Sequence, residues 1–415
     1  MAAGIHDSRG RVVASGSSFS LAQILLLALL GGIAPLGTDI YLASIPDVAG
    51  DLNTRASVVQ FTLTGFMAGL AIGPLFIGPI SDRYGRYALL VAGVVALLIS
   101  SVLCAVVPSV EALIAARVIQ GFSGSIAMTL CRTLVADVVS GAAAARIYSL
   151  LSTVMGVSPI IAPVIGGAIQ QWGHWRLAFW VLAAISAILA AGVLGLLHET
   201  LPPERRQSGG LRTALQNAGR VLKDGHFMSY AAALGFTSGA LFAYIAASPF
   251  VVQQVLGYSP LVYSLLFALN AAGLTATAGI SAGAVEKIGA ARLVRLGALT
   301  ILSGAALLAV AAMTNTLEPW LLLPAMFLIP TGTGFMLGNG TALAVQTVGY
   351  AAGTALAFVG FLQFGMSGLV APLVSIAGPR SIVPLAVISL CSAALTVGSA
   401  AIGARFAART LSHET

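Results

Sequence analysis

Residues Gly78–Leu90 read GPISDRYGRYALL, a charged turn with a glycine hinge set between two long apolar runs. The turn returns 204 positions later as AVEKIGAARLV, Ala284 to Val294. Asp82-Arg83-Tyr84-Gly85 answers to Glu286-Lys287-Ile288-Gly289, and Leu89 to Leu293. A connection this short admits only a tight turn between antiparallel helices. Its recurrence at one point in each half predicts two copies of a single membrane unit.

Composition agrees. The chain is 58% hydrophobic and 8% charged, against about 45–50% and about 25% in soluble domains. A mean hydropathy of +0.98 over 415 residues leaves too little polar material to coat a water-soluble globule. Cys104, Cys131 and Cys391 are odd in number and fall inside apolar runs, so they read as inert buried thiols rather than a disulfide framework. The net charge of +7 is scattered between hydrophobic runs. It marks topology rather than a nucleic-acid surface.

Residues 1–20 are small and polar, with Arg9 and Arg11. The apolar run that follows reaches from Leu21 to Ala43, carries Asp39 and lacks a cleavage-like end, so it reads as a retained first helix rather than a signal peptide. At about 20 residues per crossing, further spans are predicted at 57–80, 87–107, 109–137, 146–170 and 176–197. After a polar stretch, His198 to Asp224, six more follow at 227–250, 260–283, 290–312, 317–340, 350–375 and 380–404. The expected fold is an all-α polytopic membrane protein of twelve transmembrane helices in two pseudo-symmetric six-helix bundles. Its expected parts are a tail 1–20, a bundle 21–197, a linker 198–226, a bundle 227–404 and a tail 405–415. Within the linker, Glu199 to Gly210 reads as a solvated connector and Leu211 to Leu222 as a short interfacial helix.

With an even helix count both termini share one side. Fifteen Lys and Arg fall there: Arg9, Arg11, Arg83, Arg86, Arg146, Arg205, Arg206, Arg212, Arg220, Lys223, Lys287, Arg292, Arg295, Arg405 and Arg409. Only Arg55, Arg176 and Arg380 fall on the other, while Arg117 and Arg132 lie within the fourth span. The positive-inside rule then makes the termini and linker cytoplasmic.

Few residues within the spans can carry chemistry. Asp39, in GTDIYL near the outer end of the first span, occupies a costly place, about 2.5–3.5 kcal/mol at a helix centre and less near the interface. It reads as a proton-titrating acid facing a polar cavity. Arg117, about two turns into the fourth span, lies too deep to snorkel easily. It is expected to face the same cavity and tune the Asp39 region, with Gln120 on nearly the same face. Tyr41-Leu-Ala-Ser-Ile-Pro46 matches Tyr244-Ile-Ala-Ala-Ser-Pro249 in the second half, but Asp39 there becomes Phe242. Ion chemistry is therefore assigned to the first half and apolar ligand surface to both. Phe242, Tyr244, Phe361 and Phe364, with Asn270, Asn339, Gln346 and Gln363, are expected to line a mostly apolar pocket.

Gly65, Gly69 and Gly73 recur at spacing four in the second span, and the fifth reads GVSPIIAPVIGG, Gly156 to Gly167. Pro159, Pro163 and Gly166 share one face there, and Gly167 continues the small surface. Such grooves let helices approach closely and rock. A Walker loop, metal-spaced His/Cys cluster and nucleophile elbow are all missing from the sequence. The chain is thus expected not to be an enzyme, with no catalytic residues, no metal and no cofactor.

At these residues the chain resembles a major facilitator superfamily transporter, most closely the drug:proton antiporters of the bicyclomycin/chloramphenicol-resistance (Bcr/CflA) group. Gly78-Pro-Ile-Ser-Asp82-Arg83-Tyr-Gly85-Arg86 resembles the loop motif between helices two and three, and Arg117-Val-Ile-Gln120-Gly121 the helix-four motif. Gly156 to Gly167 resembles the antiporter motif of exporters, and Thr38-Asp39-Ile-Tyr41-Leu the helix-one element of drug exporters. Trp175-Arg176 with Phe179, Ser248-Pro249-Phe250 and Gly360-Phe361-Leu362-Gln363-Phe364 look like the group itself. The resemblance implies proton coupling at Asp39, a cavity arginine at Arg117, and a charge relay of Asp82, Arg83, Arg86 and Asp137 that locks the cytoplasmic side. Three positions depart from the motifs, one of them Ala290, where the second-half copy lacks the Arg86 equivalent. Tyr87 stands where a second basic residue is usual, and Ala136-Asp137 replaces an Arg-Asp.

The function so implied is proton-coupled export of amphipathic drugs, chloramphenicol- or bicyclomycin-like, by alternating access. It would use the proton gradient, as a monomer, in the bacterial cytoplasmic (inner) membrane. The alternative is a major facilitator importer or exporter of an endogenous metabolite such as a sugar or amino acid; the proline-glycine series of the fifth span argues against an importer. A receptor or scaffold would leave the buried charges without purpose, and an intramembrane enzyme lacks a nucleophile–base pair.

Overall fold

The computed structural model describes residues 5–6, 12–13, 19–171, 174–206, 216, 218–378 and 380–414. Among these, twelve helices are long and apolar enough to cross a membrane. They are α1 (Leu21–Leu42), α2 (Ala56–Tyr84), α3 (Arg86–Val106), α4 (Val110–Val138), α5 (Gly141–Gln170) and α6 (Arg176–Leu196) in the first half. The second half holds α7 (Gly225–Phe250), α8 (Pro260–Ile288), α9 (Ala290–Thr314), α10 (Pro319–Val345), α11 (Ala352–Val370) and α12 (Val383–Glu414). The chain is a multi-pass membrane protein built of two pseudo-symmetric six-helix bundles.

Side chains that satisfy orphan N–H groups set several helix starts. Ser20 and Gln23 form a reciprocal capping box at α1, and Ser109, Asp224 and Ser259 accept from the backbone at the starts of α4, α7 and α8. The repeated turn has one backbone solution in both halves. Gly85 has φ +101° and Gly289 φ +87°, each ending one helix and beginning the next. A left-handed value of this size is open to glycine and strained for other residues. The same offset relates Asn53, φ 48°, to Gly257, φ 73°, in the first connection of each half.

Within the first bundle α2 and α4 approach to backbone contact. A Cβ at Gly69 would press on the α4 backbone at Val118 and Phe122, and one at Gly121 on the Phe66 carbonyl. The glycine groove read in the second span is thus filled by α4.

The departures from the predicted layout are local. A short helix, Ile45–Asp51, follows α1, and a π-helical turn, Val251–Val255, follows α7. Both lie in the connections between predicted spans, 44–56 and 251–259. Helix α12 runs on to Glu414 instead of stopping at 404, because nothing in ARFAARTLSH breaks a helix. Cys104 and Cys131 are buried, but Cys391 is exposed on the outside of its bundle, so burial was wrongly expected for it. Most of the tail 1–20, residues 207–210 of the expected connector, and residues 211–215 and 217 of the expected interfacial helix lie outside the described residues.

The halves are tied at mid-depth and toward the face opposite the termini. Gln60 of α2 donates to Ala246 O of α7 (2.7 Å), Thr64 of α2 to Gly368 O of α11 (2.8 Å), and Gln253 to Ala43 O (3.3 Å). Thr275 of α8 donates to Gly156 O of α5 at 2.9 Å, near the middle of both helices. Among the described residues no hydrogen bond or ion pair joins the halves on the termini side of that contact.

Candidate functional site

Between the bundles lies a cavity of about 230 Å³, walled by both halves. The first half supplies Pro35, Thr38 and Asp39 from α1, Met67 and Leu70 from α2, Met128 from α4, and Met155 and Pro159 from α5. The second supplies Phe242, Tyr244 and Ile245 from α7, Phe267, Ala271 and Leu274 from α8, Pro330 from α10 and Phe364 from α11. The wall is apolar apart from Thr38, Asp39 and Tyr244.

Asp39 is 6% exposed, and among the described residues its carboxylate has no hydrogen bond or ion pair. An ionised carboxylate in such a wall is uncompensated, which makes it a group that favours a proton or a cation as its partner. Arg117 is expected from the sequence to face the same cavity. Instead Arg117 stands behind α1, fully buried and outside the cavity wall. Its Nη1 donates to Gly37 O (2.9 Å) and Gln120 Oε1 (2.6 Å), and its Nε to Thr62 O (3.4 Å). The guanidinium lies 4.1 Å from the Phe66 ring centroid, with Tyr41 and Phe179 at 5.4 and 5.7 Å. These carbonyls and π-faces replace a carboxylate as its counter-charge. Arg117 reaches Asp39 only through the α1 backbone, at Gly37.

Seven other expected cavity residues are also absent from the wall. Tyr41 is buried against Thr62 (3.2 Å) and Phe179 (ring centroids 5.0 Å apart). Gln120 spends its amide on Ser101 (2.8 Å). Asn270 stands behind Tyr244 and donates to its hydroxyl at 2.8 Å. Gln363 does not line the cavity, and neither do Asn339, Gln346 and Phe361. Phe242 and Tyr244 do, as does Phe364. Tyr41, Gln120, Asn270 and Asn339 turn instead into the helix packing, where donors and acceptors can pair, while Gln346 and Phe361 are exposed.

In α5, Pro159 lines the cavity, while Gly166 and Gly167 lie where α5 meets its neighbours. A Cβ on Gly166 would press on the Ile40 carbonyl of α1, and one on Gly167 would stand 2.7 Å from Ser264 Cβ of α8. Gly156 carries the carbonyl that Thr275 holds. Pro163 is not in the cavity wall.

On the termini face Arg86 binds Asp82 (2.5 Å), Asp137 (3.1 Å) and Ser81 Oγ (2.5 Å). The structure therefore brings Asp82, Arg86 and Asp137 together. Arg83 is exposed, its guanidinium over the Tyr84 ring at 5.2 Å. Gly78 has open space around it. Glu199, read from sequence as a solvated linker charge, caps α3: it accepts from Arg86 N (2.9 Å) and Tyr87 N (3.4 Å), and Arg206 pairs with it at 3.6 Å. Its neighbour Thr200 donates to Asp137 at 2.9 Å. The linker thus straps the turn, and at Gly85 a side chain would crowd Arg206 Nη2 (2.9 Å) as well as strain the backbone.

On the opposite face Asp51 pairs with Arg176 (2.5 Å) and accepts from Trp175 Nε1 (2.9 Å). The hydrogen bond from Arg176, then that from Trp175, holds this carboxyl below its ordinary value.

The model of the Major Facilitator Superfamily matches residues 27–372. An uncharacterised MFS-type transporter, YdgK, of Bacillus subtilis is 36% identical over 90% of this chain and 93% of its own length. A bicyclomycin resistance protein homolog of Haemophilus influenzae is 30% identical over 85% and 88%. Among solved structures, a bacterial homolog of the human lysosomal transporter Spinster, inward-facing and occupied, superposes with a TM-score of 0.73 at 16% identity over 95% of this chain and 98% of that one. The nucleoside transporter NupG superposes at 0.70 with 15% identity, over 92% and 98%. Likeness at that identity concerns the fold.

Proposed function

Starting from a chain that belongs to the major facilitator superfamily, we propose a proton-coupled exporter of small amphipathic drugs in the bacterial cytoplasmic membrane. The observation that carries this reading is Asp39: one unpaired, nearly buried acid in the apolar wall of a cavity shared by both halves. Charged, Asp39 is costly there unless a cation or donor lies against it; protonated, it is tolerated. Drug and proton can therefore take turns at one group.

With the termini cytoplasmic, the ties on the opposite face correspond to an inward-open state. Drug enters from the cytoplasm or inner leaflet. Breaking the Gln60–Ala246, Thr64–Gly368 and Gln253–Ala43 contacts opens the outer side, where a proton replaces the departing drug on Asp39. Release of that proton to the cytoplasm resets the carrier. The membrane potential adds about 2.3 kcal/mol per charge per 100 mV. The named drug-resistance relative supports the substrate class, and so does the cavity, which offers a polyhydroxylated sugar few polar partners.

Uptake of a fluorescent drug into inverted vesicles, energised and then treated with a protonophore, tests the reading. Wild type should concentrate drug until the protonophore is added, and Asp39→Asn should not. Full gradient-driven uptake by Asp39→Asn would overturn it.

A further inference from the structure

The three polar side chains in the cavity wall can be accounted for donor by donor. Thr38 gives its hydroxyl proton to Ala34 O of its own helix (3.2 Å). Asp39 has no partner among the described residues. Tyr244 receives a hydrogen bond from Asn270 Nδ2 at 2.8 Å. An amide N–H can only donate, so the phenol oxygen is the acceptor in this pair. Its own O–H donates to no described residue, and Tyr244 is part of the cavity wall.

The neighbouring phenol differs. Tyr263 lies 3.3 Å from Ser248 Oγ, and Ser248 passes its own proton to Ile245 O at 2.9 Å. That chain is closed, with Ser248 as acceptor for Tyr263. Tyr263 also backs Phe267 (ring centroids 5.9 Å apart), and Phe267 stacks on Tyr244 at 5.7 Å and 18°. Tyr244 is thereby fixed in its plane by stacking and in its hydrogen-bond role by Asn270.

We infer that Tyr244 is the specificity-determining donor of the second half and that Asn270 is its positioning residue. The substrate class is an apolar molecule, neutral or singly cationic, bearing an oxygen acceptor that meets the Tyr244 hydroxyl while its remainder lies on Phe267, Phe364 and the cavity methionines. This rests on the cavity being the drug site, but not on proton coupling.

Equilibrium binding to the full chain in lipid nanodiscs, with no gradient present, tests it separately from transport. Two probes are used: chloramphenicol, neutral and rich in oxygen acceptors, and tetraphenylphosphonium, a monocation without donors or acceptors. Tyr244→Phe deletes one oxygen and keeps the stacked ring. It should weaken chloramphenicol about tenfold and tetraphenylphosphonium less than twofold. Asn270→Asp places an acceptor behind the phenol, draws its proton away from the cavity, and should reproduce the same selectivity with the tyrosine ring in place. Equal losses for both probes, or no loss for either, overturns the assignment, as does a wild type that binds neither probe. Retained Tyr244 selectivity in a protein whose Asp39→Asn variant still transports would instead remove the proton coupling and leave this inference standing.

Discussion

Gly166→Ala tests whether the antiporter-like stretch of α5 acts by backbone proximity. The added methyl would press on the Ile40 carbonyl oxygen and lie 3.0 Å from its carbon and 3.1 Å from its Cα. Carbon–carbon contacts are favourable at about 3.5–4.0 Å, so α1 and α5 must part by about 0.5–1 Å. Every opposing atom is backbone and cannot rotate aside. Overpacking of this kind costs about 1–3 kcal/mol, a factor of roughly 5 to 150 in an equilibrium constant. Ile40 adjoins Asp39, so the displacement also shifts the acid in the cavity wall. Gly156→Ala is the internal control: its methyl would meet the Thr275 Cγ2 atom at 3.2 Å, the end of a side chain, and should cost less than about 1 kcal/mol. Thermal unfolding in detergent, with drug uptake in proteoliposomes, should rank Gly166→Ala well below Gly156→Ala and wild type. Equal melting and uptake for both variants, or the reverse order, would refute the argument from proximity.

Arg117→Ala takes the donor from Gln120 Oε1, at about 1–3 kcal/mol for a buried group left unpaired, and the second donor from the helical carbonyls Gly37 O and Thr62 O. It should abolish uptake and lower the melting temperature while the protein still inserts, and Arg117→Lys should not restore it, because an ammonium cannot reproduce the fork and the ring stacking. Normal uptake by either variant would count against Arg117 as the clamp on α1. Glu199→Gln removes the anion at the start of α3, where charge and helix dipole contribute about 0.3–1 kcal/mol. A small fall in melting temperature is expected, and a larger one in Gly85→Ala, which must also leave φ +101°; unchanged melting of both would mean the linker does not strap the turn.

The helix count was legible because length and hydropathy decide it, and the Gly85–Gly289 echo disclosed the internal repeat. Asp39 was legible as the exceptional acid of the spans. Other features depend on which way a helix faces, and periodicity leaves that open. Arg117 sits one face away from its expected place because carbonyls of α1 and α2 take its Nη1 and Nε without a carboxylate, while its Nη2 has no partner among the described residues. Met67, Met128 and Met155 of the cavity wall look in sequence like any core methionine. Gln60 and Thr64 tie the halves through backbone carbonyls of Ala246 and Gly368, partners with no side-chain signature. Glu199 caps a helix that begins 113 residues earlier, beyond the reach of any local capping pattern.

Proton release on drug binding bears most directly on the role of Asp39. In weakly buffered detergent solution with a pH-indicator dye, saturating purified wild type with a cationic drug should release about one proton per bound molecule, and Asp39→Asn should bind without release. Equal release from both proteins would mean that another group trades the proton, and the account of Asp39 would be contradicted.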